Sequence, residues 1–261
     1  MFQTYDDWKS KRIMNNLFRI TLLLTFIFSS ALSNACIHLP YGVPSYSDYM
    51  DCREGYAIGY NYSLKSPEWV AYKLKKQVPG TEYERSGSEP FVEDRKIPRQ
   101  FRSTLKDYRG SGFHRGHLAN SESIDTSQHA NEETFILSNI VPQIGKHNKG
   151  IWKGLENRER KWANTFGEVY VITGPAYTSE YQTIGKNQIP VPDYLWKIIY
   201  EPKQQKALAF FTEHKPLTTM FLNEYLYSVD DLEAALNMNF LSALPDHIEE
   251  SIESVTPKQQ W

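Results

Sequence analysis

Alternation of apolar and polar residues gives the clearest structural signal in the chain. Ile58 and three tyrosines occupy every second position from Tyr56 to Tyr62, and an apolar segment follows from Trp69 to Leu74. This pattern predicts two strands of an antiparallel sheet, packed on a core. Branched and aromatic residues predict three further strands, at Val169–Ile172, Trp196–Tyr200 and Ala207–Phe211.

A change from strand to helix periodicity occurs near the middle of the chain. The short apolar run Phe135–Val141 predicts a strand. Trp152, Leu155 and Trp162 then recur near a helical period, with charged residues between them, so a helix is expected whose first turn carries Asn148. Val229–Asn237 predicts a second, capped helix.

Composition fits a single folded domain. The chain has 261 residues, of which 40% are hydrophobic and 14% aromatic, and this excludes a disordered protein. Strands and helices alternate irregularly, which favours an α+β class with a mixed or antiparallel sheet core. We assign residues 55–250 to this domain, whereas residues 251–261 lack a clear period and are predicted to form a loose tail.

Residues 1–35 have the layout of a secretory signal peptide. Ile20–Leu32 is mostly apolar, basic residues precede it, and Ser33-Asn34-Ala35 follows it. A membrane anchor is disfavoured, because a spanning helix needs about 20 apolar residues. The basic region is long, and a start at Met14 would give a more typical signal. We expect a secreted or periplasmic protein that is cleaved near Ala35.

Cys36 and Cys52 are the only cysteines, and both follow the predicted cleavage site. Export would place them in an oxidising compartment, so a disulfide that closes an N-terminal arm, residues 36–54, is favoured. Two free thiols are the alternative. A zinc site is disfavoured, because there is no paired C-x-x-C motif and only His38 lies nearby.

Charge argues against a protein that coats nucleic acid. Removal of residues 1–35 takes four of the 29 basic residues and two of the 31 acidic ones, which leaves a net charge of −4 with neutral histidine. Binding by bulk charge requires a basic surface. The densest basic interval, from Arg95 to Arg115, therefore predicts local and salt-sensitive contacts with a phosphate backbone.

Between Asp107 and Trp162 the chain gathers polar residues that a packed core would avoid. They are His114, Arg115, His117, Asn139, Gln143, His147, Asn148 and Glu156. Their order along the chain would let separate elements bring a base and a metal ligand to one cleft. Two alternatives remain for single members: a lone histidine is more often packed or exposed, and asparagine is a favoured helix N-cap.

This stretch resembles the DNA/RNA non-specific endonuclease family, which carries a ββα-metal site. R-G-H-L-A at 115–119 matches the family's Asp-Arg-Gly-His signature. The family's strand-to-helix block is matched by N-I-V-P-Q at 139–143, Asn148, Gly150, Trp152 and Glu156. The spacing of these positions is similar to that of the family, and the resemblance covers most of residues 55–248. Several motifs in one order are a specific signal.

The resemblance implies roles for individual residues. His117 is expected to be the general base and Asn148 the ligand of Mg²⁺, with Mn²⁺ as the alternative ion. Asn139 and Glu156 are expected to hold the base and the hydrated metal. On a regular helix Glu156 lies about 80° around and about 12 Å along from Asn148, which disfavours direct coordination of one ion by both.

The resemblance also implies contacts with the substrate. Arg85 occupies the position of an arginine that contacts the scissile phosphate. Arg115, Gln143 and His147 are assigned to substrate binding, although His147 by itself is equally compatible with exposure. DNA and RNA are the expected partners. No stable membrane association is expected once the signal peptide is removed, and formation of a homodimer is left as an open alternative.

Two positions depart from the family pattern. His114 stands where the family usually has Asp, and Asn120 where it usually has a small residue or proline. Loss of a carboxylate beside the site leaves metal preference and pH optimum open. Two histidines three residues apart near a cation should resist protonation, so we predict activity that persists to mildly acidic pH.

The expected function is therefore exported, Mg²⁺-dependent hydrolysis of DNA and RNA to 5′-phosphate and 3′-hydroxyl ends. Two alternatives are kept. One is a catalytically weakened relative that binds nucleic acid or a protein partner, which His114 and the acidic net charge suggest. The other is a secreted phosphodiesterase that acts on small nucleotides.

Overall fold

The computed structural model describes residues 36–77 and 90–261. The predicted signal peptide, residues 1–35 with the alternative start Met14, and Arg85 lie outside the described residues. Within the two described ranges, no helix combines the length and the apolar character needed to cross a bilayer.

Eleven strands and six α-helices are formed by the described residues. The strands are β1 (Tyr49–Cys52), β2 (Ala57–Asn61), β3 (Ser66–Lys75), β4 (His114–His117), β5 (Ile140–Gln143), β6 (Glu168–Ala176), β7 (Thr183–Ile184), β8 (Ile189–Pro190), β9 (Tyr194–Glu201), β10 (Lys206–Glu213) and β11 (Leu226–Tyr227). The helices are α1 (Leu105–Tyr108), α2 (Gln128–Glu133), α3 (Gly145–His147), α4 (Lys153–Phe166), α5 (Val229–Leu236) and α6 (Asp246–Glu253).

A seven-stranded sheet forms the centre of the domain. Its order is β1-β2-β3-β6-β9-β10-β11, and each neighbouring pair is antiparallel. Two further pairs, β4 with β5 and β7 with β8, lie outside it. The α+β class with an antiparallel core, predicted from the sequence, is confirmed.

Both faces of this sheet are buried, because successive residues of a strand point to opposite sides. On β3, Val70 and Tyr72 pack into the core beneath α4, whereas Trp69 and Ala71 pack into the core beneath α5 and α6. We call these the α4 face and the α5–α6 face. The five strands predicted from the sequence are confirmed as β2, β3, β6, β9 and β10. The predicted capped helix is confirmed as α5, whose N-cap Ser228 accepts a hydrogen bond from Asp231 N through its side chain.

The N-terminal arm is part of the sheet rather than a separate appendage. Cys36 and Cys52 form the expected disulfide, with their Cα atoms 5.8 Å apart. Cys52 ends β1, which pairs with β2 at the sheet edge, and Cys36 is buried in the core of the α5–α6 face. The bridge therefore ties the first described residue to the central sheet.

Two sequence expectations differ from the structure. The strand predicted at Phe135–Val141 starts only at Ile140, because Leu137–Asn139 form a 3₁₀ turn. The chain after residue 250 is not a loose tail. Helix α6 continues to Glu253, and Trp261 packs edge-on against the rings of Trp162 and Phe166. Aromatic packing of the partly buried Trp261 thus holds this segment against α4.

Candidate active site

The candidate site is built from two strands and a kinked helix. In the β4–β5 pair, His114 lies opposite Gln143 and His117 opposite Ile140. The chain then continues through α3, a π-helical turn at Asn148–Trp152 and α4. Asn148 has helical dihedral angles within this segment rather than the extended angles of an N-cap, so the capping alternative does not apply.

Gly150 explains the kink between Asn148 and α4. Its dihedral angles, φ −96° and ψ −106°, are not helical. A Cβ atom at this position would lie 2.6 Å from the Leu217 carbonyl oxygen, so the close approach requires glycine. The separation of Asn148 and Glu156 expected for a regular helix therefore does not apply to this helix.

Asn139 connects the turn before β5 with the residues that follow β4. Its side chain is buried, accepts from Ala119 N at 2.9 Å, and donates to the carbonyl oxygens of Ala119 and Thr134, both at 2.8 Å. Its own carbonyl oxygen accepts from Leu118 N at 3.1 Å. These bonds fix the backbone directly after His117.

His117 is held by aromatic packing and one backbone contact. Its ring lies between Phe91 and Phe135, with centroid distances of 5.4 and 5.1 Å. Its carbonyl oxygen accepts from Trp152 Nε1 at 3.2 Å. The residue as a whole is half-buried, but Nε2 is shielded from solvent and has no hydrogen-bond partner among the described residues.

Burial, and to a smaller extent the positive charge of Arg115, lowers the pKa of His117 to about 4. The imidazole is therefore neutral at pH 7. A neutral ring whose Nε2 makes no bond to the described part of the protein can accept a proton.

His114 contacts the helix rather than His117. Its Nδ1 lies 3.5 Å from Asn148 Nδ2, and its ring packs against Gly145. The His117 ring instead packs against Phe91 and Phe135. The mutual effect of the two histidines that the sequence suggested is not supported by this geometry.

Open clefts with basic rims lie beside Asn148. One cleft of about 520 Å³ contains Arg109, Arg115 and Asn148 in its lining, and a second of about 760 Å³ contains Lys146 and Lys149. His114 lines both clefts. The guanidinium of Arg115 is exposed and lies 4.4 Å from the centre of the Phe91 ring. Sequence reasoning missed the two lysines, although both flank Asn148 closely.

Gln143 and His147 do not face the cleft, contrary to their assignment as substrate contacts. Both are completely buried, and Gln143 Nε2 lies 3.0 Å from His147 Nδ1. His147 Nε2 lies 3.3 Å from Thr212 Oγ1. Burial, with a smaller effect of His214, lowers the pKa of His147 to about 3. Two neutral polar groups thus pair inside the protein and support β5 and α3.

Glu156 lies in the first turn of α4. The residue is half-buried, but its carboxyl group is surrounded by protein, and this burial raises its pKa to about 8. The positive charge of Lys197 opposes the shift, whereas Glu159 adds to it. A cation near this carboxyl would favour its ionised form.

A buried polar network lies behind the site on the α4 face. Lys197 Nζ lies 2.5 Å from Glu159 Oε2, and both side chains are fully buried. Three groups donate to Glu159 Oε1: Tyr72 Oη at 2.8 Å, Asn120 Nδ2 at 2.9 Å and Ser123 Oγ at 2.8 Å. Asn120, the second departure from the family pattern, is thus a member of the network.

The network also reaches the catalytic histidine candidate. Lys197 Nζ lies 5.0 Å from the centre of the Trp152 ring, and Trp152 donates to the His117 carbonyl oxygen. No sequence signal pointed to this connection, because its members come from widely separated segments.

The donor set suits a hard divalent cation. Asn148 is half-buried at the cleft, and its side chain makes one hydrogen bond within the described residues, through Nδ2 to His114. Its amide oxygen is therefore left for a cation. Amide and carboxylate oxygens are the ligands that Mg²⁺ and Ca²⁺ prefer.

Two paired strands followed by a helix, with a histidine on one strand and an asparagine on the helix, define a nuclease of the ββα-metal class. The chain belongs to the DNA/RNA non-specific endonuclease family, whose family model matches residues 38–247. The family and the endonuclease class predicted from the sequence are both confirmed.

Individual relatives agree with this placement. Mitochondrial endonuclease G from Bos taurus is 31% identical over 215 residues, which cover 77% of this chain and 71% of the relative. Nuclease C1 from Cunninghamella echinulata var. echinulata is 33% identical over 224 residues, which cover 79% and 88%. A crystal structure of an EndoG/EndoGI complex superposes with a TM-score of 0.74 at 24% identity, over 85% of this chain and 95% of that chain. This last similarity concerns the fold.

Proposed function

We propose that the protein is an exported, magnesium-dependent endonuclease that hydrolyses both DNA and RNA to 5′-phosphate and 3′-hydroxyl ends. The observation that carries the proposal is a basic cleft lined by Asn148 and by Phe91, against whose ring His117 packs. His117 presents a neutral imidazole without a partner in the described protein, and Asn148 presents an amide oxygen.

His117 is the proposed general base. It accepts a proton from water as the water oxygen attacks phosphorus. The aromatic pair Phe91 and Phe135 fixes the ring plane, while Asn139 and Trp152 fix the backbone on which the ring is mounted. Such positioning lowers the entropic cost of reaching the reactive geometry.

Asn148 is the proposed ligand of Mg²⁺, with Mn²⁺ as the alternative ion, and Glu156 would hold water molecules of its coordination shell. When bound, such an ion neutralises phosphate charge and stabilises the departing 3′ oxygen. Mg²⁺ keeps several of its waters, so one direct protein ligand and an acidic residue behind it are sufficient.

Basic residues around the clefts would position the phosphate backbone. Arg109, Arg115, Lys146 and Lys149 are exposed there, and Arg85 is retained as a contact of the scissile phosphate on the strength of the family resemblance. Phosphate contacts carry no base information. We therefore expect specificity to follow backbone shape and access rather than sequence.

Export is supported by the disulfide between Cys36 and Cys52. Disulfide bonds persist in oxidising compartments and are rare in the cytosol. The signal-like segment before Cys36 has the corresponding sequence pattern.

Digestion of supercoiled plasmid and of structured RNA by the purified protein tests the proposal. Both should be cleaved with Mg²⁺ and left intact with EDTA, and the products should accept ligation without prior phosphorylation. Binding without cleavage would favour a catalytically weakened relative. Faster turnover of a dinucleotide than of a long duplex would favour a small-nucleotide phosphodiesterase.

A further inference from the structure

Three carboxyl groups meet between α5 and α6, on the face of the sheet opposite the candidate active site. Asp230 and Glu233 lie three residues apart on α5, so they share one side of that helix. Glu253 is the last residue of α6. One carboxylate oxygen from each of the three lies within 4.8 Å of the other two.

Glu253 has no partner for its charge among the described residues. The residue is 3% exposed, and its Oε1 is buried without a hydrogen bond among residues 36–77 and 90–261. Within the same residues, no lysine, arginine or histidine forms an ion pair with Asp230, Glu233 or Glu253. A buried charge without a partner is strongly unfavourable.

The surroundings of Glu253 add further negative charge. The C-terminus of a helix carries partial negative charge on its free carbonyl groups, and Glu253 stands at the C-terminus of α6. Burial raises the pKa of Glu253 to about 9, and Glu233, Glu249 and Asp230 act in the same direction. Burial likewise raises the pKa of Glu233 to about 7, although the Phe240 backbone N–H, at 2.6 Å, opposes that shift.

The three oxygens lie close enough together to bind one calcium ion. Two oxygens that are each about 2.4 Å from one ion cannot lie more than about 4.8 Å apart, and the three oxygens lie within that distance of one another. Ca²⁺ accepts six to eight oxygen ligands in flexible geometry, whereas Mg²⁺ demands a near-ideal octahedron. Asp230 is exposed and leaves one side open to water. The absence of nitrogen or sulfur donors from the group disfavours zinc.

We propose that Asp230, Glu233 and Glu253 bind one Ca²⁺ ion, which fastens α6 to α5. The ion would provide the positive charge that the described residues do not supply to Glu253. It would lie on the α5–α6 face, so its role is structural and separate from any metal held by Asn148.

Thermal unfolding of the full chain in EDTA and in CaCl₂ tests the site. Calcium at about one hundred times its dissociation constant should raise Tm by about 5 to 10 °C. Glu253→Gln should abolish that rise and should unfold in EDTA at a Tm no lower than that of the wild type, because a neutral amide replaces a buried acid. Asp230→Asn should weaken the rise.

Two controls separate this site from other effects of calcium. Glu250→Gln removes the same charge from an exposed position of the same helix and should keep the full rise. Asn148→Ala should also keep it, because the candidate catalytic ligand lies on the other face. Equilibrium dialysis with ⁴⁵Ca²⁺ should count one ion fewer in Glu253→Gln than in the wild type.

The opposite results would overturn the site. If calcium left the Tm of the wild type unchanged, or if Glu253→Gln retained the rise, Glu253 would be a buried protonated acid and no ion would be bound there. Loss of the rise in Asn148→Ala would likewise assign the calcium effect to the catalytic cleft.

Discussion

The two faces of the central sheet differ in whether a buried carboxyl group has a cationic partner. On the α4 face, Glu159 is fully buried and is paired with Lys197 at 2.5 Å, with three further hydrogen bonds from neighbouring side chains. On the α5–α6 face, Glu253 is nearly as deeply buried, yet two other acidic residues surround it and Oε1 has no partner among the described residues.

This difference indicates what each buried group is for. A polar group whose bonds are all supplied by the protein holds the structure in one arrangement. A buried group without a partner is unusual in native proteins and calls for a specific explanation, such as a bound ion or a catalytic role. Glu253 and His117 Nε2 are both of the second kind. Glu253 belongs to the proposed Ca²⁺ site, and His117 Nε2 is the proposed proton acceptor.

The largest effect on activity is expected for a variant of the proposed Mg²⁺ site, Asn148, which is separate from the proposed Ca²⁺ site. Asn148→Ala should abolish magnesium-dependent cleavage of plasmid DNA, because it removes the amide oxygen proposed to bind the ion. Mg²⁺ binding, measured by calorimetry at the catalytic site, should be lost as well.

A matched variant shows whether the oxygen itself matters. Asn148→Asp keeps an oxygen ligand of similar size and should retain Mg²⁺ binding. Unchanged Mg²⁺ binding in Asn148→Ala would show that the ligand assignment is wrong.

His117→Ala should lower kcat by about 10² to 10⁴-fold, the usual contribution of a general base. The fold should be retained, because the ring is half-buried and the asparagine that fixes its backbone is unchanged. The measurement is plasmid nicking at saturating Mg²⁺, with Tm as the check on folding. His129→Ala is the matched control, since that histidine is largely exposed on α2. Near-normal activity in a folded His117→Ala protein would exclude this residue as the base.

Lys197→Met would leave Glu159, like Glu253, as a buried carboxyl group without a paired cation. It leaves Glu159 buried without its cation, and loss of one partner of a buried pair costs about 3–5 kcal/mol. The free energy of unfolding in urea measures this loss. The double variant Lys197→Met/Glu159→Gln should recover part of it. If the single variant were as stable as the wild type, the pair would not be what compensates Glu159.

Local periodicity and contiguous motifs account for what could be predicted. The alternation at Tyr56–Tyr62 corresponds to β2, and the order of His117, Asn139 and Asn148 along the chain matches β4, the turn and the helix. In these regions the residues that define the element lie close together in sequence, so their pattern is visible without the fold.

Features that depend on distant segments could not be predicted. Gln143 and His147 were predicted to contact substrate, but both are buried and their side chains lie 3.0 Å apart. Lys197 lies in the middle of an apolar strand, and nothing nearby in sequence indicates its pairing with Glu159. Glu253 meets Asp230 only because α6 packs on α5.

His114→Asp is expected to have a moderate effect, since it would place a carboxylate beside Asn148. His114 Nδ1 lies 3.5 Å from the Asn148 amide, so a negative charge there should attract a divalent cation. The Mg²⁺ concentration for half-maximal rate should fall severalfold. His129→Asp, which adds the same charge at an exposed position, should leave it unchanged. Equal values in wild type and His114→Asp would show that this position does not influence metal binding.

The smallest expected effect concerns the acid limb of the pH–rate profile. The pKa of His117 is lowered to about 4 by burial first and by Arg115 second. The neutral ring accepts the proton, so activity should persist below the ordinary histidine pKa and should be lost as pH falls through the lowered one. Arg115→Gln removes only the second cause, because burial is unchanged.

The acid limb of kcat/KM should therefore move to slightly higher pH in Arg115→Gln while staying below the ordinary histidine pKa. The movement is small because the guanidinium is exposed and water screens its charge. Arg109→Gln is the matched control: it removes a charge from the same cleft, but Arg109 is not among the causes of the His117 shift. Its acid limb should stay in place, although KM for DNA should rise in both variants. An equal movement in the two variants, or none in Arg115→Gln, would show that the charge of Arg115 does not act specifically on His117.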